Sequence, residues 1–324
     1  MTDRGPITVA CAADHAYAAP LAAMVRSIVA TSDRPLRLFV LDGGLARDDR
    51  ARLLSSWDAG RVEVSWVELD LAPLTGLPLW GRMKTVTYAR LLMPERLPAS
   101  VERVLWLDCD LIVNRGLEAL WAADLGGRAL GAVQDLVAPY VSSRLGIATH
   151  RELGMEGTMP YFNAGVMVVD LRAWRAAGIG ERAFAYLRTY APRVTLWDQE
   201  GLNVAVAGRW TALDPRWNMI ASVTGRPFFA PEHLDEAVYR EAVRDAWIVH
   251  FAGTWKPWFL APSNRFRALY FSRLKETAWA SGHPEIGLHA GLMRLYDAAL
   301  RNHLYGLERW WLQAAQRASR RHSI

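Results

Sequence analysis

The sequence predicts an α/β protein whose sheet is parallel in its first half and gains antiparallel strands later. Short apolar runs alternate with amphipathic segments over the first 110 residues, and this alternation is typical of βαβ units. Strand-like runs in the middle of the chain are less regular, which indicates that antiparallel strands join the sheet there. A helical tail rich in arginine ends the chain.

Each predicted element follows from apolar spacing and from the residues that interrupt it. Continuous apolar runs predict buried strands, the alternation over 62–66 predicts a half-exposed strand, and three-four spacing predicts helices. The predicted strands are 7–13, 36–41, 62–66, 104–107, 129–133, 162–171 and 247–251. The predicted helices are 17–30, 46–57, 181–190 and 198–207.

The chain shows no internal repeat and no low-complexity linker before about residue 260. We therefore expect one domain over 1–262 and a helical, basic region over 263–324. Within this tail, apolar residues between 304 and 318 form a stripe at helical spacing. Two interpretations remain open. The stripe packs on the domain or on a second subunit, or it lies on a membrane surface, where Trp310 and Trp311 beside arginines suit an anionic interface.

The charge distribution argues against a general nucleic-acid-binding protein. The formal net charge is +5, yet residues 301–324 alone carry five arginines against one glutamate. The body is therefore nearly neutral, without the basic surface that nucleic acid requires.

The cysteine count and the start of the chain indicate a reducing compartment. Cys11 and Cys109 each lie in an apolar run that predicts a core strand, and neither belongs to a metal-binding or disulfide pattern. The first residues lack the basic start and apolar stretch of a secretory signal. No apolar window approaches the roughly 20 residues that span a bilayer, so we expect a cytoplasmic protein, with the tail as its one candidate for peripheral membrane contact.

The segment Asp108-Cys109-Asp110 is the clearest chemical signal, because it directly follows the predicted strand 104–107. Open α/β sheets bind ligands at the carboxyl ends of their strands. Two carboxylates there can share a hard cation such as Mg²⁺ or Mn²⁺ and bridge it to phosphate oxygens. The alternative is that both aspartates merely end the strand and cap a loop.

A second candidate site follows the strand 247–251. His250 closes that run and can complete a carboxylate metal site, in which an imidazole suits Mn²⁺ better than Mg²⁺. Lys256 follows a glycine turn, where its ammonium can meet a phosphate. The alternative is a structural histidine, which is the commoner role at the end of a strand.

Six ordered blocks resemble the retaining glycosyltransferases of family 8, particularly the bacterial lipooligosaccharide α-galactosyltransferases. The resemblance covers about residues 7–260 and implies a GT-A fold, a UDP-sugar donor, a Mn²⁺ or Mg²⁺ cofactor and retention of the anomeric configuration. The blocks are Cys11-Ala12-Ala13-Asp14 with Tyr17, Thr87-Tyr88-Ala89-Arg90, Leu107-Asp108-Cys109-Asp110, Phe162-Asn163-Ala164-Gly165-Val166, Asp198-Gln199-Glu200 with Asn203, and His250 through Trp258.

The resemblance implies a role for each matching position. The implied metal ligands are Asp108, Asp110 and His250, and the implied catalytic pair is Asp198 and Gln199, with Gln199 opposite the leaving group. The implied donor-binding residues are Ala12, Ala13, Asp14, Tyr17, Arg82, Arg90, Asp108, Cys109, Asp135, Asn163, Ala164, Gly253 and Lys256. Read alone, 163–165 would predict a turn, and 198–200 the N-cap and first turn of a helix.

Two positions depart from the family pattern. Asp14-His15-Ala16 stands where relatives often carry Asp-Asp-Asn, and Arg82 stands where the galactosyltransferases place a histidine. The resemblance nonetheless implies transfer of galactose or glucose from a UDP-sugar to an oligosaccharide or glycolipid, such as a lipopolysaccharide sugar. The alternatives are a catalytically inactive scaffold of the same fold at a membrane surface and a dinucleotide-dependent oxidoreductase. No GxGxxG motif follows the first strand, which disfavours the oxidoreductase.

Overall fold

The computed structural model of the protein describes residues 5–79, 83–224, 231–253, 256–258 and 266–281. Two predictions lie outside these residues: the phosphate-facing role of Arg82 and the apolar stripe between residues 304 and 318. None of the described helices has the length and hydropathy needed to cross a membrane.

The main sheet has seven strands in the order β3-β2-β1-β4-β7-β6-β8. Strands β3, β2, β1 and β4 run parallel, β7 runs antiparallel to both β4 and β6, and β8 pairs parallel with β6. The predicted mixed sheet, parallel first and antiparallel later, is confirmed. The strands are β1 (Ile7–Ala13), β2 (Leu36–Asp42), β3 (Val62–Glu68), β4 (Arg103–Leu107), β5 (Leu111–Val113), β6 (Leu130–Gln134), β7 (Phe162–Asp170), β8 (Thr211–Ala212), β9 (Met219–Ile220) and β10 (Ile248–His250).

A second, three-stranded sheet carries the predicted histidine. Its order is β5-β10-β9, with β10 antiparallel to β5 and parallel to β9. Within it His250 pairs with Leu111, and the next residue, Phe251, donates its peptide N–H to the carbonyl of Asp110 at 2.8 Å. This pairing brings a residue 140 positions away in sequence beside the turn that follows β4.

The reversal of chain direction at β7 also shapes the site. Leu107 at the end of β4 pairs with Val166 in the middle of β7, so the first residues of β7 extend past the end of β4. The peptide N–H of Asp108 then bonds the carbonyl of Gly165 at 2.9 Å. Because the two strands are antiparallel, the carboxyl end of β4 and the amino end of β7 share one edge of the sheet.

Helices cover both faces of the main sheet. Alternate residues of β1 face two cores: Val9 belongs to the core that includes residues of α1, α2 and α10, whereas Ala10 belongs to the core that includes residues of α3, α5, α6 and α7. The helices are α1 (Ala18–Thr31), α2 (Arg47–Ser55), α3 (Ala89–Arg96), α4 (Glu118–Trp121), α5 (Leu171–Ala176), α6 (Ile179–Thr189), α7 (Trp197–Val206), α8 (Ala221–Thr224), α9 (Glu236–Arg244) and α10 (Arg267–Leu274).

Most sequence-predicted elements match within two residues, but one prediction is wrong. Cys11 lies in β1 as expected, whereas Cys109 lies in the turn between β4 and β5 rather than in a strand. The turn is nevertheless buried, so an apolar residue suits it without any strand pairing. Both cysteines are buried and free.

The described part of the predicted tail packs back on the domain. The Tyr270 ring of α10 contacts the rings of Phe251 and Trp258, with centroids 6.0 and 5.2 Å away. At the surface, Glu276 pairs with Arg26 of α1 at 2.8 Å. The boundary predicted at residue 262 stays a prediction.

Candidate active site

Three predicted metal ligands converge at the edge shared by β4 and β7. One ligand atom from each of Asp108, Asp110 and His250 lies within 4.8 Å of the others. Nε2 of His250 is 3.4 Å from Oδ1 of Asp110 and 3.8 Å from Oδ2 of Asp108. Two carboxylates and an imidazole form a donor set that suits Mn²⁺ well and Mg²⁺ through its oxygens. The residues present therefore fit a divalent ion.

Asp108 is oriented by two donors on one of its oxygens. Trp106 Nε1–H and Arg90 Nη2 each donate to Oδ1 at 2.9 Å. The other oxygen, Oδ2, therefore remains on the side of His250. The aspartate thus does more than end the strand, since its partners direct one oxygen toward the cluster.

Asp110 is paired with a buried lysine. Lys256 Nζ donates to Oδ2 of Asp110 and, at 2.9 Å, to the carbonyl of Phe251. Burial alone would raise the pKa of Asp110, but the positive charge of Lys256, together with its hydrogen bond and the contact with His250, outweighs burial and holds that pKa well below its usual range. Asp110 is therefore an anion at any pH near neutrality. The structure places Lys256 beside a candidate metal ligand, at the position where the resemblance implies a diphosphate contact.

His250 is held by a residue that the sequence did not indicate. Its Nδ1 lies 2.9 Å from Oδ1 of Asn218, which is itself 1% exposed. Asn218 ends a 3-10 turn over Pro215–Asn218 just before β9. An isolated asparagine in a turn carries no recognisable motif, so this contact could be found only from the fold.

Arg90 joins the candidate metal ligands to the predicted catalytic pair. Its Nη1 donates to the carbonyl of Ala164, and its Nε lies 2.6 Å from Oδ2 of Asp198. The other oxygen of Asp198 accepts from Thr87 Oγ1 at 3.1 Å. Burial raises the pKa of Asp198 to about 6, although the charge of Arg90 opposes that rise.

The predicted sugar-side residues form one hydrogen-bonded cluster. Asn163 Nδ2 and Gln199 Nε2 both donate to Oδ2 of Asp135, at 2.9 and 3.1 Å. The other oxygen of Asp135 accepts the peptide N–H groups of residues 137 and 138. Gln199 Oε1 accepts the peptide N–H of Ala164 at 3.1 Å. The structure therefore brings Asp135, Asn163, Ala164 and Gln199 together from three separate elements.

The structure decides between the local alternatives for these residues. Asn163 and Gly165 lie inside β7, so the strand predicted over 162–171 is confirmed and the alternative of a turn is wrong; pairing with β4 and β6 keeps the segment extended. Asp198 does lie in the first turn of a helix, α7, but its side chain accepts a hydrogen bond from Thr87 and forms an ion pair with Arg90 instead of capping that helix.

The predicted nucleotide-side residues line the end of β1. Asp14 caps the short 3-10 helix that follows, accepting the peptide N–H of Tyr17 at 3.2 Å, and its other oxygen pairs with Lys84 at 2.5 Å. The Cys109 thiol donates to the carbonyl of Ala12 at 3.2 Å, which ties the turn after β4 to the last residues of β1. Ala13, also in β1, accepts the peptide N–H of Gly43 at 2.8 Å.

The segment after β10 approaches the same place. Lys256 Nζ lies 6.0 Å from the ring centroid of Tyr17, and the Tyr17 ring meets Trp258 edge to face. Gly253 has φ +83°, which explains a glycine at that bend. The predicted nucleotide, metal and sugar residues that the structure describes thus surround one region at the edge of the sheet.

A solved structure shows the same architecture. The galactosyltransferase LgtC, in complex with donor and acceptor sugar analogs, matches with a TM-score of 0.73 at 28% identity, covering 84% of this chain and 96% of that chain. The mixed sheet and the cluster of two aspartates and a histidine at its edge define the class of protein: a glycosyltransferase of the GT-A fold.

Sequence comparisons give the family. The model of glycosyl transferase family 8 matches residues 8–260, and the chain belongs to this family; its activity is glycosyl transfer. General stress protein A of Bacillus subtilis (strain 168) is 28% identical over 284 residues, which cover 86% of this chain and 96% of that protein. The lipopolysaccharide 1,2-glucosyltransferase of Escherichia coli (strain K12) is 23% identical over 230 residues, 70% of this chain and 65% of that protein.

Proposed function

We propose that the protein transfers a hexose, galactose or glucose, from a UDP-sugar to a carbohydrate acceptor, with retention of configuration and with Mn²⁺ as cofactor. The observation that carries this proposal is the convergence of Asp108, Asp110 and His250 within 4.8 Å of one another. The likeness to a galactosyltransferase solved with donor and acceptor sugar analogs supports the same conclusion.

The three converging residues would hold the ion between the protein and the diphosphate of the donor. Bound there, Mn²⁺ would supply Lewis-acid stabilisation of the charge that develops as the diphosphate leaves. Mg²⁺ is the second candidate, since two of the three ligands are carboxylates.

The protein's own cations would assist the departure of UDP. Lys256 lies at the cluster and Arg90 between the cluster and Asp198, so both can meet negative charge without reorganising. Arg82 is the third expected phosphate contact. Ala12, Ala13, Asp14, Tyr17 and Cys109 would surround the uridine at the end of β1, and Gly253 would let the backbone approach the diphosphate.

The sugar would lie over the cluster formed by Asp135, Asn163, Ala164 and Gln199. Amide and carboxylate groups at such positions suit hydroxyl recognition, because each offers a donor or an acceptor of fixed direction. Galactose and glucose differ at one hydroxyl, so a single contact in this cluster decides the donor.

We infer that the acceptor hydroxyl attacks the face that the diphosphate leaves. The bond from the anomeric carbon to the phosphate oxygen breaks with its electron pair passing to UDP. The acceptor oxygen bonds the same carbon, and its proton passes to a phosphate oxygen. Gln199 is a poor nucleophile, and both of its amide atoms are hydrogen-bonded. Asp198, which accepts from Thr87 and pairs with Arg90, is the alternative nucleophile for a covalent intermediate.

The acceptor is proposed from the relatives. A lipopolysaccharide or lipooligosaccharide sugar is the class that the E. coli relative's name supports, and this chain spans 65% of that protein. Contact of the tail with a membrane surface or with a second subunit would keep such an acceptor close, and both remain proposals.

The test is turnover with purified protein. UDP-galactose and UDP-glucose are each supplied with lactose or a lipooligosaccharide core, in Mn²⁺, Mg²⁺ or a chelator, and UDP release is measured. We expect turnover with one donor in Mn²⁺, loss in the chelator, loss in Asp110→Asn, and an α-linked product by NMR. Full activity in the chelator or in Asp110→Asn would refute the metal site, and a β-linked product would refute retention. Sugar-nucleotide binding without turnover under every condition would favour the inactive scaffold.

A further inference from the structure

We propose that Asn218 is a positioning residue of the metal centre: it fixes the tautomer of His250 and joins that ligand to the sugar-side cluster through a chain of buried amides. The inference rests on the proposed metal site. Nothing in the sequence pattern pointed to Asn218, which ends a short 3-10 turn between β8 and β9.

The orientation of Asn163 is fixed by the backbone. The peptide N–H of Gly165 donates to one side-chain atom of Asn163 at 3.0 Å. A peptide N–H can only donate, so that atom must be the amide oxygen, Oδ1. The amide nitrogen then faces Asp135 Oδ2 at 2.9 Å, where a carboxylate accepts.

This orientation dictates that of Asn218. The same Oδ1 of Asn163 lies 2.9 Å from the side-chain amide of Asn218. An oxygen that only accepts must face the NH₂ group of Asn218, which leaves the Asn218 oxygen pointing at His250. If the Asn218 amide were reversed, its oxygen would face the Asn163 oxygen, and its NH₂ group would face His250 with no acceptor there for a protonated Nδ1.

The tautomer of His250 follows from the same chain. Nδ1 lies 2.9 Å from the Asn218 oxygen, which can only accept, so Nδ1 carries the proton. In the neutral ring Nε2 is then the unprotonated nitrogen, and it faces Asp110 and Asp108 at 3.4 and 3.8 Å. A metal ligand needs that lone pair. The other ring N–H of a metal-binding histidine is commonly hydrogen-bonded to a second group, which orients the ring and makes the ligand nitrogen more basic.

Burial makes the arrangement costly to change. His250, Asn218 and Asn163 are 3%, 1% and 7% exposed. A buried polar group deprived of its partner costs about 1–3 kcal/mol, so a flipped amide or the other tautomer is disfavoured at each step.

The chain also reaches the predicted catalytic residue. Asp135 Oδ2 accepts from both Asn163 and Gln199, and Gln199 Oε1 accepts the peptide N–H of Ala164. Two consecutive peptide groups of β7, at Ala164 and Gly165, therefore orient Gln199 at one end of the chain and His250 at the other. A change at Asn218 is expected to act on the metal first.

The first test is Asn218→Leu, which keeps the volume but removes the acceptor for Nδ1–H. Binding of Mn²⁺ to the full-length protein without donor is measured by calorimetry. We expect the Kd for Mn²⁺ to rise about 10–100-fold, the range found when the second group on a metal-bound histidine is removed. The matched control is Asn203→Leu. Asn203 is a buried amide bonded to Phe162 and Gln199 but not to His250, and its variant should lose stability while keeping the wild-type Kd.

Asn218→Asp tests separately whether Asn218 holds His250 and whether it links His250 to the sugar-side cluster. It also provides a second variant if Asn218→Leu does not fold. A carboxylate still accepts from Nδ1–H of His250, yet its second oxygen meets Oδ1 of Asn163 and breaks the chain there. We expect Mn²⁺ affinity at least equal to that of the wild type and a lower kcat. An equal loss of Mn²⁺ affinity in Asn218→Leu, Asn218→Asp and Asn203→Leu would show a structural role only and overturn the proposal.

Nitrogen NMR of the histidine rings tests the tautomer without substitution, with His250 assigned by its loss in His250→Gln. A ring that carries a proton on Nδ1 supports the proposal, and a ring protonated at Nε2 alone overturns it. The experiments distinguish failure of the proposed metal site from failure of the proposed role of Asn218. Wild-type protein that binds no Mn²⁺ defeats the proposed metal site, whereas wild-type binding that Asn218→Leu leaves unchanged defeats only the role of Asn218.

Discussion

The His250 imidazole lies directly against the α-carbon of Gly165. A methyl group added at Gly165 would overlap Cε1 of that ring and lie 2.8 Å from Nδ1. Gly165 is therefore required by a close approach between the main sheet and the second sheet, and its carbonyl also holds the peptide N–H of Asp108.

We expect Gly165→Ala to displace His250 and weaken Mn²⁺ binding at least about tenfold, since the ring is buried and its Nδ1 is held by Asn218. Calorimetric titration with Mn²⁺ measures the effect. Gly60→Ala is the control, because Gly60 is exposed and its nearest neighbour is the flexible side chain of Asp58. Unchanged Mn²⁺ affinity in Gly165→Ala would mean that His250 is not a ligand.

The pairing of Lys256 with Asp110 predicts that the lysine ammonium and Mn²⁺ compete for the Asp110 carboxylate. Lys256→Met leaves a buried carboxylate without its cation, and breaking such a pair costs about 3–5 kcal/mol. Added Mn²⁺ should restore much of that loss, so the Mn²⁺-induced rise in unfolding free energy should exceed that of the wild type.

Denaturant unfolding with and without Mn²⁺ measures this difference. Lys84→Met removes a lysine paired with Asp14 instead, and its Mn²⁺-induced stabilisation should equal that of the wild type. An equal Mn²⁺ effect in Lys256→Met and the wild type would contradict the competition.

The pKa of Asp198 predicts a pH-dependent stability. Burial raises it from 3.8 to about 6, so between these values the folded state binds more protons than the unfolded state. The contribution of Asp198 to the unfolding free energy therefore falls as the pH rises from 3.8 to about 6 and is constant above that range. Two pKa units correspond to at most about 3 kcal/mol.

Urea unfolding of the wild type and of Asp198→Asn isolates the contribution of Asp198 to stability. The measurements run from about pH 4 to about pH 7, a range that spans the pKa values of Asp198 in the unfolded and folded states. The unfolding free energy of the wild type should fall relative to that of Asp198→Asn as the pH rises toward the folded-state pKa of about 6. A difference independent of pH would show that Asp198 titrates normally.

Glu200 is expected to hold the start of α7 in place. Its buried carboxylate accepts from Tyr186 Oη at 2.6 Å and from the peptide N–H and hydroxyl of Thr195 at 2.6 and 2.8 Å. Nearby, Trp197 has φ +46°, a conformation that needs such support. Replacing the carboxylate by an amide puts an NH₂ donor in place of one acceptor oxygen, opposite groups that also donate, so Glu200→Gln should lose about 1–3 kcal/mol of stability.

Thermal and urea unfolding measure that loss, and turnover should fall with it because Asp198 and Gln199 directly precede Glu200. The control is Glu152→Gln, at an exposed pair with Arg193, which should leave both stability and turnover unchanged. Wild-type stability in Glu200→Gln would contradict the assigned role.

The sequence was informative wherever chemistry coincided with the end of a strand. Asp108 and Asp110 follow an apolar run, and His250 closes another, so their approach could be predicted from the logic of open sheets. That His250 belongs to a separate small sheet could not be predicted, because a three-residue strand carries too little pattern. Asn218 and the supporting role of Glu200 were missed for a related reason: their partners lie in other elements, and a single polar residue in a turn or helix has no periodicity.

The antiparallel placement of β7 has a consequence for how this architecture diversifies. The connection from β6 to β7 leaves and returns at neighbouring points, joined by the bond from Asp135 N–H to the Tyr161 carbonyl and by the bridge between Tyr140 and Pro160. Within it, Ile147 is buried in the core, and Thr149 bonds Tyr186, the partner of Glu200. Its exposed positions, such as Arg151 and Glu156, can therefore change in composition while the buried ones keep the excursion seated on the helices beside the site.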